Sequence, residues 1–234
     1  MFNIGIRRFL PGALWLLAGV ALAAEADAEG FVSLFNGKDL TGWDGDLKVW
    51  FAKDGAIVGK TTPENKTNGT YLICKQPIPD DFELHASFKI LSGNSGIQYR
   101  TKELPNFQVA GYQADMDYED HYTGTVYEVG GRNTTLAQVG QKVAADATGK
   151  KEVVGSVGEP AKIKAAIKKD EWNEYVIIAQ GNHCVQKING VVTMEITDEK
   201  NPKSGIIALQ LHPGPPMEVQ YKDLRVKELK APAR

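Results

Sequence analysis

The chain has 234 residues, with 27 basic and 29 acidic side chains, a formal charge of −2 and 42% hydrophobic content. That balance leaves no concentrated basic face for a phosphate backbone, which argues against nucleic acid as a partner. The two cysteines, Cys74 and Cys184, are far apart and neither sits in a metal-ligating spacing.

Residues 1–23 read as a cleaved secretory signal. Arg7 and Arg8 form a basic start, an apolar stretch follows, and Ala21-Leu22-Ala23 is an A-x-A cleavage site. The apolar stretch is short for a membrane span, which needs roughly 20 residues. The expectation is a periplasmic or secreted protein with no integral membrane segment after signal removal. No cysteine follows the cleavage site, so a lipoprotein route is not expected. Removing the signal takes away two arginines and no acids, leaving 25 basic against 29 acidic residues, or −4. Residues 24–30 read as a short linker and 31–229 as one large domain. An oxidising compartment would permit a Cys74–Cys184 bond, and two separate buried thiols fit equally well.

The periodicity of the domain is mostly two. Alternating or apolar runs predict strands at Val32–Phe35, Val49–Ala52, Ala56–Gly59, Tyr71–Cys74, Phe82–Leu91, Gly96–Arg100, Phe107–Met116 and Gly124–Glu128. Later runs are Asn173–Gln180, His183–Ile188, Val191–Glu195, Gly205–His212 and Met217–Leu229. Many short strands punctuated by Gly, Asn, Asp and Pro indicate an all-β sandwich or barrel. Asn189-Gly190 predicts a tight hairpin, because a type I′ turn needs positive φ at both central positions. Leu136–Lys169 breaks the pattern. It is rich in Ala, Lys and Gly, and is expected to be a long excursion with one short helix.

Residues two apart on a strand share a face. Gln98 and Arg100 therefore pair on one strand, Gln113 and Asp115 on a second, and Gln210 and His212 on a third. An ordinary solvated face would carry mostly Lys, Glu, Thr and Ser, like Glu83, His85, Ser87 and Lys89 elsewhere in the chain. The three pairs instead hold planar groups suited to paired hydrogen bonds with sugar hydroxyls. They are expected to converge on one concave surface. Asp115 and Glu128 supply carboxylates of the kind glycoside chemistry uses, with Arg100 or Arg132 able to hold them charged. His121 and His212 are further acid–base candidates, His212 the stronger because it closes a strand.

No G-x-S-x-G elbow, P-loop, H-E-x-x-H or C-x-x-C is present. Asp115, Asp117, Glu119 and Asp120 lack a recognisable calcium-loop pattern and read as an acidic turn, so no metal site is assigned. The sequence names no cofactor. Asn65-Lys66-Thr67, Asn68-Gly69-Thr70 and Asn133-Thr134-Thr135 match the glycosylation acceptor, a pattern frequent by chance.

Several stretches together resemble a known family. Phe31-Val-Ser-Leu-Phe-Asn-Gly-Lys-Asp-Leu-Thr-Gly-Trp43 is similar to the "L-F-N-G-K-D-L-x-G-W" opening of the 3-keto-disaccharide hydrolase domain family. Asn94-Ser-Gly-Ile-Gln-Tyr-Arg100, Gly111-Tyr-Gln-Ala-Asp115 and Gly124-Thr-Val-Tyr127 resemble that family's next motifs. Trp172-Asn173, Asn189-Gly190, Gly205–His212 and Val219–Val226 follow in the family's order. The resemblance implies a concanavalin A-like jelly-roll sandwich of two antiparallel sheets. It also implies activity on a small carbohydrate, a glycoside oxidised at C3 of the sugar, by hydrolysis or by elimination and hydration. In that reading Asp115, His212 or Glu128 does the acid–base chemistry. Gln98, Arg100, Gln113, Tyr127, Arg132 and Gln210 orient the sugar. The alternative is a non-catalytic carbohydrate-binding module, because one sandwich serves both purposes. Protein recovered from the envelope is expected to begin near Ala24, which N-terminal mass analysis checks; an intact Met1 in the mature pool would refute the signal.

Overall fold

The computed structural model describes residues 26–230, so the signal at 1–23 and the last four residues lie outside it. Seventeen strands and one short helix follow in order. They are β1 (Val32–Ser33), β2 (Trp43–Asp44), β3 (Trp50–Lys53), β4 (Ala56–Lys60), β5 (Thr70–Cys74), β6 (Phe82–Ser92), β7 (Asn94–Leu104), β8 (Gln108–Asp117) and β9 (Val126–Val129). Then come β10 (Thr134–Ala137), β11 (Gln141–Ala145), β12 (Lys151–Ser156), α1 (Pro160–Lys164), β13 (Asn173–Gln180), β14 (His183–Ile188), β15 (Val191–Asp198), β16 (Ile206–Leu211) and β17 (Glu218–Glu228).

Period-two patterning sorts these strands into two layers. The larger sheet runs β12-β11-β15-β14-β13-β6-β17-β4-β3, with β1 also against β17. The smaller runs β10-β9-β8-β7-β16-β5-β2. On β6, Phe82, Leu84, Ala86, Phe88 and Ile90 are buried while the residues between them are half-exposed. They meet Ile97, Tyr99, Tyr112 and Leu209 of the other sheet in one continuous core. Burying apolar surface between the inner faces, at about 25 cal/mol per Å², is what holds the layers together. Asn189 and Gly190 both have positive φ, +49° and +80°, as the hairpin between β14 and β15 requires. Cys74 and Cys184 are free thiols, each buried.

The stretch Leu136–Lys169 corrects an expectation. It holds the anticipated helix, α1, which begins on Pro160, but it also completes β10 and contains β11 and β12. β11 pairs parallel to β15, Lys142 opposite Glu195 through Ala145 opposite Asp198, and buries Val143 and Ala145. Small side chains leave little periodic signal, and a parallel partner fifty residues away leaves no local one.

Arg100 is a second correction. A bulge interrupts the β7–β8 register between Tyr99 and Lys102, and Arg100 sits in the left-handed region at φ +48°. The extra residue breaks the alternation, so Arg100 does not follow Gln98 onto the outer face. Its side chain is 1% exposed. Nε and Nη2 donate to the Asp80 carbonyl at 3.1 and 2.8 Å, and Nη1 donates to the Gly181 carbonyl at 2.6 Å. Nη2 also reaches Asp81 Oδ1 at 3.0 Å, and that oxygen accepts the Gly181 N–H at 2.8 Å. One guanidinium from the smaller sheet thus ties the entry to β6 and the β13–β14 turn of the larger one. Glycine makes room on both sides, Gly111 within β8 and Gly205 just before β16. A Cβ on Gly111 would fall 2.7 Å from Thr101 Cα, and one on Gly205 2.4 Å from Thr101 N. Arg100→Ala strands buried carbonyls and Asp81 together, so a loss of about 3–5 kcal/mol is expected in denaturant unfolding. Arg100→Lys is expected to recover little of it, because one compact ammonium cannot reproduce four bonds made from the three separated nitrogens of a planar guanidinium.

Candidate functional site

The smaller sheet carries its polar groups on the face away from the core. Across it lie Tyr71 of β5, Gln210 of β16, Gln98 of β7, Gln113 and Asp115 of β8, and Tyr127 of β9. The registers set Gln98 opposite Gln113, Gln113 opposite Tyr127, and Gln210 opposite Tyr71. Over this face opens a cleft of about 580 Å³. Its floor includes Tyr71, Gln113, Asp115, Tyr127 and Gln210; Asn68, Asn94, Gln108, Tyr122, Asn133 and His212 are among the residues that complete it.

Beneath the cleft the amides are chained. Gln98 Nε2 donates to Gln113 Oε1, and Gln113 Nε2 donates to Asp115 Oδ1. The Thr101 hydroxyl lies 3.2 Å from Gln98 Oε1 at the far end. Each donor points toward the carboxylate, so the chain fixes its orientation and favours its charge. Gln113 reaches Asp115 by lying across Gly96, where a Cβ would fall 2.5 Å from Gln113 Cγ. Gln210 Nε2 donates to the Tyr71 hydroxyl at 3.1 Å, while Gln210 Oε1 is buried with no donor among the described residues. A buried acceptor left unpaired beside a cleft is a natural partner for a ligand hydroxyl.

Asp115 is 5% exposed. Burial pushes its pKa up to about 7, against the pull of hydrogen bonds from Gln113 and Thr125; the Asp117 charge adds to the rise. It is therefore close to half-ionised at neutral pH.

One wall of the cleft is braced by a single carboxylate. Asp117 accepts backbone N–H bonds from His121, Tyr122 and Thr123 at 3.0, 2.7 and 3.1 Å, which fixes the 117–123 loop and presents Tyr122 to the cleft. His212 Nδ1 donates to the Pro213 carbonyl at 2.7 Å, since a carbonyl can only accept, and this leaves Nε2 as the nitrogen available to a ligand. Asp117 spends both carboxylate oxygens on these loop amides, and among the described residues no three His, Cys, Asp or Glu groups converge as a metal site would need.

Of the residues expected to meet, Gln113, Asp115, Tyr127, Gln210 and His212 line the cleft, and Gln98 lies directly under it. Arg100 is absent for the reason given above. Glu128 and Arg132 are also elsewhere. Glu128 faces the core side of β9, opposite Tyr112, where Arg132 Nε and N–H bond its Oε2. Arg132 Nη2 and the Tyr112 hydroxyl both reach Asp198 Oδ2 of the larger sheet. This is a tie between sheets. Tyr127 and Glu128 are adjacent on one strand, so alternation alone forbids both from facing the cleft.

Tyr71 and Tyr122 were not anticipated. Thr70–Cys74 reads as uniformly apolar, so Tyr71 gave no signal, and Tyr122 lies in a loop without periodicity. Asn68 and Asn133 did stand out, as two of the three acceptor-like tripeptides, and both border the cleft.

A family model for the 3-keto-alpha-glucoside-1,2-lyase-like domain matches residues 30–227. The chain belongs to that family. This placement makes it a carbohydrate-active protein. No curated protein matches the sequence. Among solved structures, a candidate glycosyl hydrolase from Parabacteroides distasonis superposes with TM-score 0.57 at 22% identity, covering 87% of this chain and 95% of that one. A β-glucanase from Bacillus licheniformis gives 0.53 at 13% identity, covering 85% and 97%. A carbohydrate-binding module from Bacillus subtilis gives 0.52 at 12%, covering 80% and 96%. At such identities the likeness concerns the jelly-roll sandwich alone. No described helix is long and apolar enough to cross a membrane.

Asp115 also sets a stability test. The folded chain holds this proton up to about pH 7, whereas an unfolded Asp releases it near pH 4. Its contribution is intact below about pH 4 and is lost as pH rises through about 7. Asp115→Asn escapes that loss. It is expected to gain on wild type by up to ~4 kcal/mol between about pH 4 and pH 8 in denaturant titrations; a pH-independent difference would contradict the buried, protonatable carboxyl.

Proposed function

We propose that this chain is an exported enzyme that cleaves 3-keto-glycosides by eliminating the group at C1, with water adding to the product afterwards. The observation that carries the reading is Asp115, a buried carboxyl poised near neutrality on the floor of a polar cleft. A ketone at C3 acidifies the hydrogen on C2. Asp115 as carboxylate takes that proton, the C2–H electrons form a C1=C2 double bond, and the C1–O bond breaks toward the leaving oxygen. That oxygen needs a proton, which His212 supplies from Nε2 when both its nitrogens are protonated. Addition of water across C1=C2 then gives the free 3-keto sugar. No covalent sugar–enzyme bond is needed, so a base and an acid suffice. Gln113 orients the base directly and is itself held by Gln98, while Gln210 and Tyr71 bond ring hydroxyls, Gln210 Oε1 as acceptor.

Asp115→Asn keeps the shape and most hydrogen bonds but cannot accept the proton. Turnover of a 3-keto-α-glucoside is expected to fall about 10²–10⁴-fold with KM little changed. In wild type, kcat/KM should climb with pH toward about 7 as the base ionises, and fall again at higher pH where the leaving-group acid has given up its proton. His212→Gln should slow substrates with poor leaving groups much more than those with good ones. Binding without turnover by wild type across that pH range would leave a carbohydrate-binding module instead.

A further inference from the structure

The polar cleft does not stop at His212. A second hollow of about 230 Å³ adjoins it, and Asn94, Tyr122, His212 and Pro213 border both. The two differ in chemistry. Tyr118, Tyr122, Pro213, Pro215 and Met217 supply its large apolar and aromatic side chains. Its surface is mostly apolar, and Glu119 adds a carboxylate at its border. Asp117 is held by loop N–H groups, the Asn94 carbonyl accepts from His212 N at 3.4 Å, and His212 Nδ1 is on Pro213. Lys169 sits over the Tyr118 ring, 4.0 Å from its centre.

We propose that this hollow is the leaving-group subsite, and that it takes a flat aromatic aglycone rather than a second sugar. The inference rests on the elimination reading and adds what the sugar is joined to. A bond cleaved at C1 must run from the polar cleft to whatever lies outside it, and the shared border is where the two hollows meet. His212 stands on that border, beside the position of the glycosidic oxygen, as a leaving-group acid must. A second sugar brings several hydroxyls that each need a partner, and the hollow offers few. An aryl ring needs none and gains from stacking on Tyr122 and contact with the prolines. The loop braced by Asp117 holds Tyr122 in place beforehand, so little ordering is required on binding.

The test separates binding from bond breaking. Titration calorimetry on Asp115→Asn would use methyl 3-keto-α-glucoside, phenyl 3-keto-α-glucoside and a 3-keto disaccharide. The phenyl glycoside is expected to bind about tenfold tighter than the methyl. Pro215→Asp, an exposed position that borders only the second hollow, should abolish that advantage in the same background and leave the methyl glycoside unchanged. Wild type with unoxidised methyl and phenyl α-glucosides supplies the same comparison without turnover. Equal affinity for phenyl and methyl, or tighter binding of the disaccharide than of the phenyl glycoside, overturns the subsite. A phenyl preference in a protein that turns over none of the three upholds the subsite and overturns elimination. Binding of none overturns both.

Discussion

The bulge at Arg100 and Thr101 is the constraint from which both the sandwich and its cleft follow. One added residue in β7 turns a long cationic side chain through the sheet, where it closes the end of the sandwich against Asp80, Asp81 and Gly181. The same irregularity brings the Thr101 hydroxyl to Gln98, at the start of the amide chain that ends on Asp115. A left-handed backbone on a non-glycine residue costs on the order of 1 kcal/mol or more. Four hydrogen bonds in a buried setting offset it. Gly111 and Gly205 are the matching concessions on either side, because no side chain fits where the bulged backbone presses against its neighbours.

Two ionic ties thus join the sheets at different places, and neither is chemistry on a substrate. Arg100 works at the β6 entrance, and Arg132 works at the β9–β15 edge with Glu128, Asp198 and Tyr112. Removing charged groups from water is expensive unless they are fully paired. With the arginines on the structural side, the carboxyl that remains at the cleft has no cation against it. Burial therefore raises Asp115 toward neutrality, with no neighbouring cation to pull it back.

Much of this was legible in the sequence because strands have a strict period. Alternation set Gln113 with Asp115 and Gln210 with His212, and both pairs stand at one cleft. It failed for Arg100, since a bulge removes the period without marking the residue types around it. For Glu128 the same period points inward, because its neighbour Tyr127 occupies the outer face. The strands of Leu136–Lys169 were hidden for another reason. Val143 and Ala145 bury little area each, and β11 owes its place to backbone pairing with β15. Tyr71 shows the converse limit: an apolar-looking strand in a sheet with one polar face can still place a hydroxyl at the site.

The strands that make the cleft are scattered along the chain. β5 contributes Tyr71 and β16 contributes Gln210, 139 positions later, yet the two are direct partners. β16 also covers the bare edge of β7. During synthesis or refolding, hairpins such as β14–β15 close cheaply and early, whereas pairings over such a separation wait on a larger loss of chain entropy. A chain interrupted before residue 206 would therefore carry Asp115, Gln113 and Gln98 without the strand that closes the sheet beside them. The polar floor of the cleft is therefore complete only once β16 has been made and has paired with β5 and β7.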